Sequence, residues 1–158
     1  MTARTLMILA GLGSAALLGG AYMFQALGYA PCQMCLWQRW PHMVAIALGV
    51  LALFFARLPV AIAGALAALT TAVIGVYHTG VERDWWEGPS SCSGGGDITG
   101  LTGADLLSTD VLDKVVMCDE VSWALFGLSM PSWNALFSFL LAAIWILAAR
   151  QCLKESRP

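Results

Sequence analysis

The sequence predicts an all-α integral membrane protein: a bundle of four transmembrane helices with one long outer loop that contains a short amphipathic helix. Two observations predict it. First, 59% of the 158 residues are hydrophobic and only 11% are charged, against roughly 45–50% and about 25% in soluble domains. A domain of this size leaves about a third of its chain surface in water, too much for so few charges to cover. Second, the charges are bunched. None lies in residues 5–38 or 40–56, in 58–81, or in 121–149. The net charge of −2 offers no basic surface for nucleic acid.

A spanning helix needs about 20 mostly apolar residues. The first gap predicts a span at about residues 6–27. Its apolar run is longer than a signal-peptide core, and the best small-residue cut site, after Ala30, would leave Pro31 at the new N-terminus. A first outer loop, residues 28–39, follows. The second span is predicted at about residues 40–55, short enough to need Trp37 and Trp40 at the interface. The third span falls at about residues 59–79. Residues 80–132 form the long outer loop, with nine acids and two bases between Glu82 and Glu120. Within it, Ile98–Met117 carries apolar residues at several helical spacings and reads as a short amphipathic helix, lying in the membrane interface or packed as a cap on the helix ends. The fourth span is predicted at about residues 133–149. No second domain or internal repeat interrupts the chain, so residues 1–158 form one domain.

Basic residues orient such a bundle. Arg4, Arg57, Arg150, Lys154 and Arg157 fall on one side. Only Arg39, Arg83 and Lys114 fall on the other. Both termini are therefore expected in the cytoplasm and both long loops outside.

This orientation sorts the five cysteines. Cys32, Cys35, Cys92 and Cys118 lie on the outer face, where disulfides persist. Cys152 lies on the reducing side. A Cys92–Cys118 staple could stabilise by roughly 3–4 kcal/mol in the chain-entropy model, and a purely structural role for that pair stays open. A bridge across two residues removes little chain entropy, so Cys32–Cys35 points to redox chemistry or metal binding. A zinc site would ordinarily use a second close cysteine pair, which the chain lacks, and no βαβ pattern marks a thioredoxin domain. No metal is expected.

Arg39 lies one helical turn past Cys35, where its cation would favour a thiolate. Electrons collected at a membrane edge need a lipid-soluble acceptor, and a quinone is the nearest candidate. No nucleotide-binding loop competes for that role. Of the two histidines, His78 could bond a quinone carbonyl or carry a proton. His42 reads as an ordinary interfacial residue.

The run Pro31-Cys32-Gln33-Met34-Cys35-Leu36-Trp37-Gln38-Arg39 resembles the first outer loop of the disulfide bond formation protein B (DsbB) family of the bacterial inner membrane. Gly75-Val76-Tyr77-His78-Thr79-Gly80-Val81-Glu82 resembles the end of that family's third helix. Cys118 followed by Phe126-Gly127-Leu128-Ser129-Met130-Pro131-Ser132-Trp133 resembles the approach to its fourth. The resemblance implies a thiol:quinone oxidoreductase that reoxidises a periplasmic DsbA-like protein. Cys92 would form the mixed disulfide with that partner, and Cys118 would be its internal mate. Electrons would pass to Cys32–Cys35, with Cys32 exchanging and Cys35 facing a ubiquinone or menaquinone, and Arg39 and His78 beside it. A sister group in that family serves a dedicated substrate system instead of a general oxidant. Two other readings compete: a non-catalytic four-helix assembly or binding protein with stapled loops, and a relay like that of vitamin K epoxide reductase. The latter family carries its loop pair before the Cys-x-x-Cys, the reverse of the order here.

Overall fold

The computed structural model describes residues 1–90, 92 and 117–156. Four helices dominate: α1 (Ala3–Ala26), α2 (Gln33–Leu51), α3 (Leu58–Glu82) and α4 (Met130–Glu155). Three of them, α1, α3 and α4, are long and apolar enough to cross a membrane. Their outward side chains support that setting: Leu12, Leu66, Val73, Leu140 and Leu147 are all more than half exposed. Such a surface is costly in water and ordinary in lipid. The chain is thus a multi-pass helical membrane protein.

Residue chemistry sets the helix ends. Thr2 caps α1 by accepting the Thr5 N–H at 3.3 Å. Pro59 and Pro131 open α3 and α4, where a missing N–H costs nothing. The Cys32 sulfur caps α2 by accepting the Cys35 N–H at 3.3 Å. That cap corrects the expected second span. The helix begins at Gln33, well before residue 40, and ends at Leu51, short of residue 55. Its polar first turns, with Gln38, Arg39 and His42, belong to the helix and face inward, where all three are buried.

Small residues let the helices close on one another, as van der Waals packing in a membrane requires. A Cβ added to either Gly11 of α1 or Gly49 of α2 would lie 2.9 Å from the Cα of the other, so these backbones touch. On α3, Gly64 lies against the Trp145 ring of α4, and a Cβ at Gly75 would lie 3.0 Å from the Pro131 carbonyl oxygen. Ala61, Ala65, Ala68, Ala142, Ala148 and Trp145 form the core between α3 and α4.

A two-residue antiparallel ladder, β1 (Ala124–Leu125) with β2 (Leu128–Ser129), precedes α4. It is a small addition to the expected all-α fold. Phe126 and Gly127 make its turn with φ of 53° and 76°, the left-handed values that suit a tight hairpin. The hairpin segment packs over the end of the bundle where α1 and α3 finish. Trp123 packs at a tilt against Phe24 of α1, ring centroids 4.9 Å apart, and the Trp133 indole donates to the Leu125 carbonyl at 3.2 Å. The expected amphipathic helix at Ile98–Met117 falls almost wholly outside the described residues.

Candidate functional site

The start of α2 and the end of α3 bring the cysteines together. Cys92 and Cys118 are joined by a disulfide with Cα atoms 5.2 Å apart. Cys32 and Cys35 are free, with sulfurs 3.2 Å apart. The Cys32 and Cys118 sulfurs and a His78 ring nitrogen all lie within 4.8 Å of one another, and all three residues are buried. The two sequence-distant pairs thus meet at Cys32 and Cys118. Cys152 packs in the separate cluster at the other end of the bundle, 4.0 Å from the Ala56 carbonyl.

Cys32 receives the hydrogen bonds. Besides the Cys35 N–H, His78 Nε2 lies 3.5 Å from its sulfur. With these donors on Cys32, Cys35 keeps the proton the two sulfurs share. The hydrogen bond from Cys35 pulls the Cys32 thiol down from 9.0 to about 4, helped by His78. The surroundings therefore favour negative charge on Cys32, whereas Arg39's place in the sequence suggested Cys35. Arg39 bonds Gln25 Oε1 at 2.8 Å and lies 4.7 Å over the Tyr22 ring.

Behind the cysteines runs a buried polar chain that the sequence reading missed. Gln38 Nε2 donates to the Met34 carbonyl at 3.2 Å and to His78 Nδ1 at 3.1 Å. Gln38 Oε1 accepts from Asn134 Nδ2 at 2.7 Å. The second Asn134 hydrogen goes to Thr71 Oγ1 at 3.1 Å, and Thr71 donates to the Gln38 carbonyl at 3.2 Å. Asn134 Oδ1 accepts from His42 Nε2 at 2.9 Å. An amide nitrogen only donates and an amide oxygen only accepts, so the chain fixes both neutral imidazoles with their proton at Nε2. His78 therefore presents an N–H to the Cys32 sulfur. His42, expected to be unremarkable, is a buried member of this chain.

The cysteines open onto a cavity of about 470 Å³, a size that suits a small molecule. Apolar side chains of α1 and α4, among them Leu17, Phe24 and Phe137, form its walls, and Cys35, Arg39, His42, His78 and Glu82 also line it. Arg39 Nε and His42 Nδ1 are buried without hydrogen-bond partners among the described residues, and leaving such nitrogens unmatched is costly. Glu82 bonds the Ser129 hydroxyl.

The family model described as "Disulfide bond formation protein DsbB" matches residues 3–148. "Disulfide bond formation protein B 2" of Pseudomonas syringae pv. syringae (strain B728a) is 35% identical over 144 residues, covering 84% of this chain and 80% of that protein. "Disulfide bond formation protein B" of Stutzerimonas stutzeri (strain A1501) is 30% identical over 161 residues, covering 93% and 96%. The protein of that name from Xanthomonas oryzae pv. oryzae (strain MAFF 311018) is 31% identical over 162 residues, covering 92% and 89%. No solved structure matches the chain. With a redox-type cysteine cluster at the end of a membrane helix bundle, and a match over nearly its whole length, the chain belongs to the DsbB family of bacterial disulfide-bond-forming membrane proteins.

Proposed function

We propose that this protein reoxidises a DsbA-like thiol oxidase in the periplasm by relaying electron pairs through Cys92–Cys118 and then Cys32–Cys35 to a membrane quinone. The observation that carries the reading is the meeting of Cys32, Cys118 and His78 within 4.8 Å. A purely structural staple at Cys92–Cys118 needs no second thiol pair beside it.

Each residue has a task that follows from its surroundings. Cys92 takes the partner's thiolate and forms the mixed disulfide, which releases Cys118. Cys118 exchanges with Cys32, whose sulfur receives the donors that stabilise it as a leaving group and as a thiolate. Cys35, in the cavity wall, faces the acceptor. His78, held by Gln38 with its proton at Nε2, donates to the Cys32 sulfur. A quinone fits the cavity: the apolar walls suit its ring, while Arg39 in the lining supplies a cation and hydrogen-bond donors beside it. When bound there, it supplies a two-electron sink oxidising enough to draw electrons from a DsbA-type donor. Ubiquinone and menaquinone are both candidates.

The reading includes four membrane crossings, with α2 completing the set. It also puts both termini in the cytoplasm of the inner membrane and the cysteine cluster on the periplasmic side, in keeping with the basic residues at the chain ends.

Turnover tests it. Purified protein given a reduced DsbA-like partner and a soluble short-chain quinone is expected to reduce the quinone, and Cys35→Ser to abolish that reduction. Quinone reduction that persists in Cys35→Ser overturns the relay.

A further inference from the structure

We propose that Glu82 is a neutral carboxylic acid beside the reduced Cys32–Cys35 pair, and that it holds the proton the Cys32 thiol gives up. The inference rests on the relay proposed above and assigns its missing proton carrier.

The argument is a count of hydrogens. A ladder of oxygen contacts leads away from Glu82. Its carboxyl meets the Ser129 hydroxyl, and Ser129 meets Ser132 at 2.9 Å. Ser132 then meets Thr79 at 3.0 Å, and Thr79 meets the Gly75 carbonyl at 2.9 Å. A carbonyl can only accept, so the Thr79 hydrogen belongs to Gly75. Ser132 must then donate to Thr79, and Ser129 to Ser132. No hydroxyl hydrogen remains for the Glu82–Ser129 contact. It must come from Glu82 itself. With an ionised Glu82, two oxygens somewhere along the ladder would face each other lone pair to lone pair. Ser129, although the N-cap of α4, makes no capping bond to its helix, so its hydroxyl is free for this ladder.

The neighbours agree with a neutral acid. Hydroxyls are what α4 presents to Glu82 among the described residues. From α2 come Cys32 and Cys35, and a Cys32 thiolate would repel a carboxylate. At the C-cap of α3, the Arg83 guanidinium is engaged elsewhere, donating to the Gly127 carbonyl at 3.3 Å and lying 5.4 Å over the Trp85 ring. His78 is engaged with Cys32 and Gln38. Glu120 and Arg39 line the same cavity, and Arg39 is bonded to Gln25.

His78 cannot be the carrier in its resting form. Its Nδ1 accepts from Gln38 and its Nε2 already holds a hydrogen. Placing the proton on Glu82 balances the relay. The outer dithiol has two S–H bonds. On exchange with the inner disulfide and the Glu82 carboxylate, it becomes a disulfide, leaving Cys32 as thiolate, Cys35 as thiol and Glu82 as acid. In the next step Cys32 and Cys35 form their S–S bond and release two electrons. The protons of Cys35 and Glu82 leave with them, and a quinone that takes up both becomes quinol. Total charge is unchanged in each step.

The test uses the full-length protein in detergent micelles. Glu82→Gln keeps the ladder, because its amide N–H donates to Ser129 as the acid does, so the fold is expected to survive. The first readout is the midpoint potential of the Cys32–Cys35 couple against pH, trapped by alkylation in dithiol buffers. A two-electron couple changes by about 30 mV for each tenfold step. Uptake of two protons gives about 59 mV per pH unit, expected near neutral pH for the wild type, and uptake of one gives about 30 mV, expected for Glu82→Gln. The second readout needs no variant: the infrared carbonyl band of a protonated carboxylic acid, sensitive to deuterium oxide, in the reduced inner-pair state. Equal slopes in both proteins, or no such band in the wild type, overturn the inference. Neither readout uses a quinone. Failure of quinone reduction would sink the relay while leaving Glu82's protonation independently measured.

Discussion

The Cys32 sulfur stands within 4.8 Å of the Cys118 sulfur, although α2, α3 and much of the outer loop separate them along the chain. The disulfide of the loop and the free pair of the helix are thereby set for direct exchange. The bridge to Cys92 in turn makes Cys118 the sulfur placed to resolve an adduct formed at Cys92.

Trapping follows from this. In Cys118→Ser the resolving sulfur is gone, and a mixed disulfide, formed when the Cys92 thiolate attacks the disulfide of an oxidised thioredoxin-fold partner and releases one partner thiol, is expected to accumulate. Non-reducing electrophoresis followed by mass spectrometry of the adduct checks it. An adduct through Cys32 instead would contradict the order of the relay.

The charge on Cys32 gives a pH signature. Its thiol is drawn from 9.0 down to about 4, so the thiolate persists below neutral pH. Stability gained from that ionised sulfur is complete above about 9 and is lost as pH falls through about 4. In a Cys152→Ser background with the inner pair reduced, alkylation of Cys32 is expected to stay level from pH about 8 to about 5. A rate falling tenfold per unit across that range would place the proton on Cys32.

Asn134 joins α4 to α2 and α3 through Gln38, Thr71 and His42. Replacement by Leu leaves buried donors and acceptors unmatched, each worth about 1–3 kcal/mol. Asn134→Leu is expected to lower the thermal midpoint clearly, and to slow electron transfer by freeing the His78 tautomer. Thermal melting in detergent and single-turnover kinetics report the two effects separately.

Gly49 abuts Gly11 at the backbone. Gly49→Ala is expected to push α1 from α2 and cost about 1–3 kcal/mol. Ala at Gly19, which has open space around it, serves as the control and is expected to be near neutral.

Most of the helical frame was legible because a bilayer excludes charge so strongly that gaps between charges mark spans. The start of α2 was not. Its first turns carry Gln38, Arg39 and His42, which look like surface residues until α3 and α4 cover them, and its cap is a cysteine instead of the usual Ser, Thr or Asp. The hairpin was hidden because Phe126-Gly127 is a weak turn signal. The cysteines, Arg39 and His78 were singled out by spacing and by family resemblance. Gln38, Thr71 and Asn134 were invisible because their partners come from three different helices. Glu82 was lost among the acids of the outer loop. Only the hydroxyls of Ser129, Ser132 and Thr79 distinguish it, and they converge on it only in the folded chain.

The cavity walls carry a kinetic consequence. Its sides are apolar surfaces of α1 and α4, while its roof is the hairpin segment that leads on from the Cys92–Cys118 bridge. In the proposed relay a lipid-dissolved reactant would search for the site by lateral diffusion in two dimensions, and a soluble protein would search for it in three. The two would then meet different faces of one cluster and need not wait for each other's departure. Thinning the bilayer, or diluting the lipid-dissolved reactant within it, should therefore slow one half of the cycle and leave the other untouched.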